Sequence, residues 1–155
     1  MAILVTGGAG FIGGNFVLAW LVQSDEAVIN LDNLTYAGNL ETLASLKDHK
    51  GHIFVQGDIG DKALLDKLLV QYKPRAIINF AAESHVDRSI HGPEDFIQTN
   101  IVGTFYLLES ARAYYNGLSD ADKAAFRFLH VSTDEVYGSL APDAPAFTEQ
   151  HSYEP

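Results

Sequence analysis

Short apolar runs alternate with segments of helical period along this chain, and that alternation restricts the fold more than any other feature. Residues 3–6 (Ile-Leu-Val-Thr) have the length and apolarity of a buried strand, closed by Gly7 and Gly8. A helix is expected over 11–23 and a second strand over 27–31. A polar loop over 32–39 and a short helix over 40–47 follow, then a third strand over 52–56, stopped at Gly57. Asp61 has the chemistry of a helix N-cap, and Leu64, Leu65, Leu68 and Leu69 form one stripe of a helix through Tyr72, ended by Pro74. A fourth strand is expected over 76–80. Pro93 suits a first helical turn, and one helix is expected over 96–115, with a further short one over 120–125. A fifth strand is expected over 126–132, with Gly138 marking the turn beyond it. Strands that are apolar throughout, each followed by a helix, predict a parallel sheet covered on both faces. Five such units define a doubly wound α/β domain. The Pro-bearing segment 140–155 reads as loop.

Composition narrows the partners. Apolar residues make up 47% of the 155 and charged residues 19%, a globular balance. Ten Lys and Arg stand against twenty Asp and Glu, a formal net charge of -10. Such a surface repels phosphate backbones and anionic lipid, so no nucleic-acid and no membrane partner is expected. A small anionic ligand stays open, because backbone N–H groups bind phosphate without any cation. The absence of cysteine removes thiolate chemistry and cysteine-ligated metal sites. The N-terminus carries no signal-like apolar core, so a soluble, cytoplasmic protein is expected. His49 and His52 have a metal-compatible spacing but no partner carboxylate nearby, and read as a solvated pair. Trp20 and the Phe residues on helical faces read as core.

The first turn carries the sharpest motif. Gly8, Gly10 and Gly13 match G-x-G-x-x-G, and Gly7, Gly10 and Gly13 also give G-x-x-G-x-x-G. Small residues there let the chain turn off the strand, let backbone approach a pyrophosphate, and let the next helix pack closely. That helix directs its free N–H groups and positive end at the phosphates. Asp32, at the end of the second strand, has the chemistry to accept hydrogen bonds from ribose hydroxyls and to repel a 2′-phosphate, which favours NAD over NADP. Asp58 and Ile59 would lie beside the adenine; alternatively Asp58 is only a loop residue.

Ligands of open parallel sheets bind beyond the carboxyl ends of the strands. After the fourth strand, Ala81 and Ala82 are small enough for a cofactor to lie against them. Ser84 can bond a hydroxyl, while His85, Asp87 and Arg88 are either substrate contacts or a self-satisfied polar loop. After the fifth strand come Thr133, Asp134 and Glu135. Adjacent carboxylates at the nicotinamide end of a site could supply an acid and a base, one kept protonated by burial or by its like-charged neighbour.

Four segments, 6–13 (Thr-Gly-Gly-Ala-Gly-Phe-Ile-Gly), 31–39 (Leu-Asp-Asn-Leu-Thr-Tyr-Ala-Gly-Asn), 81–89 (Ala-Ala-Glu-Ser-His-Val-Asp-Arg-Ser) and 132–138 (Ser-Thr-Asp-Glu-Val-Tyr-Gly), together resemble the dTDP-glucose 4,6-dehydratase family of extended short-chain dehydrogenase/reductases. The resemblance runs over essentially the whole chain, and the Thr-Asp-Glu triplet is its most specific element. It implies a Rossmann-type domain holding NAD and a nucleotide-sugar substrate, dTDP-glucose. The implied reaction oxidises the sugar at C4, eliminates water across C5–C6 and returns the hydride to C6. By the same resemblance Asp134 is the acid for the departing C6 hydroxyl, Glu135 the base at C5, and Thr133 a hydrogen-bond partner near C4. Ser84 would touch substrate. Phe11, Ile12, Asp32, Asn33, Leu34, Thr35, Asp58, Ile59, Ala81, Ala82 and Thr99 would line the NAD site.

One element of the family pattern is missing. The family uses a Tyr-x-x-x-Lys pair, and no Tyr of this chain has Lys four residues on. In the family that pair, a last strand and a nucleotide-sugar-binding domain come later. Residues 1–155 therefore read as an incomplete NAD-binding domain, the N-terminal portion of a longer enzyme that forms homodimers. On their own they are expected to bind NAD weakly and not to turn over substrate. An NAD-dependent nucleotide-sugar epimerase or decarboxylase, or a non-catalytic dinucleotide-binding module, are the alternatives the residues leave open.

Overall fold

The computed structural model describes residues 1–85, 90 and 92–155. Five strands form one parallel sheet: β1 (Ala2–Thr6), β2 (Ala27–Asp32), β3 (His52–Gln56), β4 (Ala76–Asn79) and β5 (Arg127–His130), in the order β3-β2-β1-β4-β5. The order reverses direction at the β1–β4 pair, which opens a crevice above the carboxyl ends of those strands. The helices are α1 (Phe11–Gln23), α2 (Lys62–Tyr72), α3 (Pro93–Phe96), α4 (Thr104–Asn116) and α5 (Asp120–Ala125). None is long and apolar enough to cross a membrane among the described residues.

Strand register separates two cores. Ile3, Val5, Val28, Ala76 and Ile78 share one face with Val17 and Leu21 of α1 and with Leu43 and Leu46. Leu4, Ile29, Leu31 and Ile77 point to the other, against Leu65, Leu68 and Leu69 of α2 and Leu107 and Ala111 of α4. Burial on both sides explains why these strands carry apolar residues on both faces rather than at alternate positions. The doubly wound parallel sheet expected from the alternation is the observed fold.

Element boundaries follow local chemistry. Asp61 caps α2, its Oδ1 accepting the Leu64 N–H at 3.0 Å. The helix runs through Tyr72 as expected, and Lys73, ahead of Pro74, caps it by turning left-handed (φ 46°) and donating its N–H to the Leu69 carbonyl. Segment 40–46 is a 3-10 helix, capped by the Asn39 side chain. The single helix expected over 96–115 is instead divided, with a π-helical stretch at Ile97–Gly103 between α3 and α4. Two contacts account for it. Gly103 is buried with no room for a side chain, since a Cβ would lie 2.8 Å from Ile59 Cγ1. Asn100 grips the backbone after β4, accepting the Glu83 N–H and donating to the Glu83 carbonyl, both at 2.8 Å. β5 is shorter than expected. Phe105 is 56% exposed and Phe11 84% exposed, so these aromatics are not core.

The segment 140–155 is loop, as expected, but it is pinned in place. Tyr137 stacks on Phe147 and tilts against Tyr153, each at 5.4 Å between centroids, and the Glu154 N–H bonds the Val136 carbonyl at 3.0 Å. The chain thereby folds back on the turn that follows β5.

At the opposite end of the sheet, Arg75 pairs bidentately with Glu26 at 2.5 and 2.6 Å and lies 5.9 Å from the Trp20 ring centre. The guanidinium bond holds the Glu26 carboxyl below its usual value, which burial opposes. Stability from this pair is present above the ordinary carboxylate range and is lost as pH falls through the lowered value. Glu26→Gln should therefore cost about 1 kcal/mol or less at neutral pH. In urea titrations at stepped pH the gap from the parent should close on acidification; a pH-independent gap would place the pair outside the stability balance.

Candidate functional site

The site is built around the turn between β1 and α1. Gly7 is left-handed (φ 71°), and a Cβ there would lie 2.6 Å from the Ala81 nitrogen, so the turn closes tightly on the end of β4. A Cβ on Gly13 would enter the van der Waals shell of the Gly7 carbonyl oxygen, so only glycine lets α1 start this close to β1. Gly10 differs. Its absent side chain would meet only the Gly7 carbonyl, at 3.3 Å, and would otherwise stand in the space before α1. Gly10 is also the N-cap, and the first turn of α1 carries no acidic residue. The positive helix end and its unpaired N–H groups therefore face outward uncompensated.

Residues of β2 hold this turn. Asp32 is 8% exposed; its Oδ2 accepts the Ala9 N–H and its Oδ1 the Leu34 N–H, both at 2.8 Å. Leu34 takes a left-handed conformation (φ 55°). The Asn30 amide donates to the Gly8 carbonyl at 3.2 Å. Across the crevice, Thr6 Oγ1 donates to Asn79 Oδ1, and the Asn79 amide meets His130 Nδ1 at 2.9 Å.

Above the turn lies a hollow walled by Gly7, Gly10, Leu31, Asp32, Asn33, Thr35, Ala37, Gly38, Gly57, Asp58, Ile59, Phe80, Ala81, Ala82, Glu83 and Thr99. A second hollow shares Asn33, Thr35, Asp58, Glu83 and Thr99 and extends past Tyr36 to Asp95, Phe96 and Gln98. The described walls hold the carboxylates of Asp32, Asp58, Glu83 and Asp95 and neither Lys nor Arg. Asn33 donates to Asp58 Oδ2 at 2.7 Å, while Asp58 Oδ1 takes the Gly60 N–H at 2.6 Å.

The structure thus brings together Gly7, Gly10, Asp32, Asn33, Thr35, Asp58, Ile59, Ala81, Ala82 and Thr99. Gly13 lies behind the turn, where it sets packing. Phe11 and Ile12 start α1 with exposed side chains, and Leu34 sits outside the wall. Ser84 and His85 are exposed beyond β4, the His85 ring edge-on to Tyr36 at 6.4 Å. Asp87 and Arg88 lie outside the described residues.

Thr133, Asp134 and Glu135 follow β5 directly. The Val131 N–H bonds the Asn79 carbonyl at 3.1 Å, which carries the chain past the end of β4 into a 3-10 turn over Asp134–Tyr137. All three side chains are exposed and none belongs to the walls of either hollow. The expected burial of one carboxylate is not seen. The turn extends beyond β5, the edge strand of the described sheet, and no described element covers it.

His52 corrects a second expectation. It is half buried rather than solvated, with Nε2 3.2 Å from Asn30 Nδ2, and burial pushes it below the ordinary histidine value. His49 instead accepts the Gly51 N–H. No group of three or more potential metal ligands occurs among the described residues. Asn30 and Glu83 escaped the sequence reading as site residues. A fully buried amide inside an otherwise apolar strand is the signal that marks Asn30.

A glycine turn at the switch point of a doubly wound sheet, with a carboxylate at the end of β2, defines a dinucleotide-binding α/β domain. The chain belongs to the family described as GDP-mannose 4,6 dehydratase, whose model matches residues 4–155. It is 63% identical over 152 residues to a dTDP-glucose 4,6-dehydratase of Xanthomonas campestris, covering 98% of this chain and 43% of the relative. Among solved structures, the dTDP-glucose 4,6-dehydratase of Streptomyces venezuelae, with NAD bound, is similar at TM-score 0.84 and 46% identity, covering all of this chain and 46% of that one. A UDP-glucose 4-epimerase of Thermus thermophilus in complex with NAD is similar at TM-score 0.80 and 30% identity, covering all of this chain and 45% of that one. The chain spans less than half the length of these relatives.

Gly13→Ala tests the packing of the turn. Overpacking against Gly7 should destabilise the fold by about 1–3 kcal/mol. Thermal unfolding followed by Trp20 fluorescence reads it; an unchanged midpoint would show that α1 tolerates a wider separation from β1.

Proposed function

We propose that this chain forms the NAD-binding portion, and supplies the acid–base pair, of an NAD-dependent dTDP-glucose 4,6-dehydratase, a hydro-lyase of deoxysugar synthesis. The observation that carries the reading is the hollow over the β1–β4 switch point, with the Thr-Asp-Glu turn following the next strand. The identity to dTDP-glucose 4,6-dehydratases over nearly the whole chain supports the same reaction.

The residues present fit NAD. The open space at Gly10 and the uncompensated start of α1 suit a pyrophosphate, which backbone N–H groups would hold, since the described walls carry no cation. Asp32 would accept from the ribose hydroxyls with lone pairs left over from its two backbone bonds, and Asp58, Ile59 and Thr99 would flank the base. Phe11, Ile12, Asn33, Leu34, Thr35, Ala81 and Ala82 complete the proposed contacts. Carboxylates with no cation among the described wall residues disfavour the extra phosphate of NADP.

Bound NAD supplies a reversible hydride acceptor. The protein's own part is positional and acid–base. Thr133 hydrogen-bonds the sugar near C4, and Ser84, His85, Asp87 and Arg88 form the substrate side. Glu135 removes the C5 proton, which a C4 ketone acidifies. Asp134 gives a proton to the departing C6 hydroxyl, so one carboxyl accepts a proton while its neighbour donates one. A cytoplasmic location and a homodimer belong to the same reading. Ile97, Ile101, Phe105 and Leu108 form an exposed apolar stripe at helical spacing, suited to pairing with a second copy.

Two measurements test this. Calorimetry on the chain should show NAD binding at least about tenfold tighter than NADP, a gap of about 1.4 kcal/mol; equal affinities would remove the carboxylates from the ribose. In the complete reading frame, incubation with dTDP-glucose should yield the 4-keto-6-deoxy product, whereas a C4-epimerised product alone would favour an epimerase. There Glu135→Gln should suppress product while leaving transient C4 oxidation visible as cofactor absorbance. Equal loss of both steps would overturn the assignment of Glu135 as the C5 base.

A further inference from the structure

We infer that His52, on the outer strand β3, is a positioning residue for the dinucleotide turn, acting through Asn30 as a neutral hydrogen-bond acceptor. The inference rests on the dinucleotide reading above and adds a residue that does not touch the hollow.

Asn30 is fully buried in β2, and its Nδ2 has two neighbours: the Gly8 carbonyl and His52 Nε2, each at 3.2 Å. The amide has only one productive orientation. Rotated by half a turn, its oxygen would face the Gly8 oxygen, acceptor against acceptor. With the NH2 facing both neighbours, His52 Nε2 must present its lone pair. That contact calls for a ring whose Nε2 carries no proton.

The target of this relay is the Gly8–Ala9 peptide, the centre of the glycine motif. Asn30 holds its carbonyl and Asp32 holds its N–H. No side chain fits at Gly8, because a Cβ there would collide with the Asn30 amide oxygen, so glycine is what lets the two approach this closely. A proton on His52 Nε2 would set donor against donor. The Asn30 amide would then have to rotate, and the Gly8 carbonyl would lose its partner inside the protein, where an unpaired group is costly.

The surroundings of His52 favour the neutral ring. Burial lowers its pKa, His49 from the same turn opposes a second positive charge, and the Leu46 bond acts the other way. From β2 it faces the uncharged Asn30. Asp48 and Lys50 in the preceding turn are exposed, and Glu26, before β2, is paired with Arg75. The relay is therefore intact above the lowered His52 value and is lost as pH falls through it.

The full chain, isotopically labelled, is titrated from about pH 8 to about pH 5, spanning the histidine range. The Gly8 and Ala9 amide resonances should move with the midpoint of the His52 ring. In His52→Gln, whose Oε1 accepts from Asn30 but takes up no proton, that midpoint should vanish. NAD titrated in parallel should bind both proteins alike at the alkaline end and weaken severalfold on acidification for the parent only. Gly8 and Ala9 resonances indifferent to the His52 midpoint would overturn the inference, as would an unaltered acid weakening of NAD in His52→Gln. The parent titration decides alone if the variant is unstable. Failure of NAD to bind at the alkaline end would remove the cofactor reading, while the resonances would still decide the relay.

Discussion

The Gly8–Ala9 peptide is held at both polar ends by side chains of β2, and the rest of the site is arranged around that hold. A glycine-rich turn has little of its own to fix it, since glycine loses more conformational freedom on ordering than any other residue. Asp32 on the amide and Asn30 on the carbonyl supply the missing constraint from a strand buried on both faces. The Gly7 N–H adds a backbone bond to Leu31 at 2.9 Å. With the turn fixed, Gly13 can bring α1 close, and the positive end of that helix faces one place.

Across the crevice, β4 meets the same requirement in another way. Asn79 is fully buried, accepts from Thr6 and the Ala81 N–H, and faces His130. Thr6, Asn79 and His130 occupy one register row across three strands. An asparagine thus flanks β1 on each side, each with a histidine on the next strand outward. Buried amides of this kind cost stability unless satisfied. Asn79 ends β4, and Asn30 lies two residues before the end of β2, so both sit close to where the chain changes direction. The buried Asn30 oxygen has no hydrogen-bond partner among the described residues, a cost incurred at the point where the turn is most tightly held.

Much of this was legible before any coordinates. Parallel strands covered on both faces leave continuous apolar runs, so the sheet and its order of elements followed from the sequence, as did the cap at Asp61 and the glycine turn. The π-helical stretch was not legible, because its causes are tertiary: Gly103 against Ile59 and Asn100 against the Glu83 backbone are contacts between segments far apart in the chain. Helical periodicity sees neither. The aromatic cluster of Tyr137, Phe147 and Tyr153 was equally hidden, since proline and scattered polar residues dominate the local pattern there. His52 looked solvated because its environment is made by Asn30 and Leu46 rather than by its neighbours in sequence.

The two halves of the proposed site have different mechanical support, and this follows from where they sit on the sheet. The dinucleotide hollow stands over β1, β2 and β4, each paired on both sides, so its walls inherit the rigidity of a close-packed interior. The Thr133–Tyr137 turn stands beyond β5, paired only with β4, and its carboxylates are exposed. Its order comes from local devices instead. Gly138 turns left-handed (φ 88°) and donates its N–H to Glu135, while the aromatic stack and the Glu154 bond tie residues 147–154 across the turn. A Cβ at Gly138 would lie 2.5 Å from the Glu154 oxygen, so that return of the chain requires glycine. Positioning of the acid and base thus depends on a small folded-back segment, whereas positioning of the dinucleotide depends on the core of the sheet.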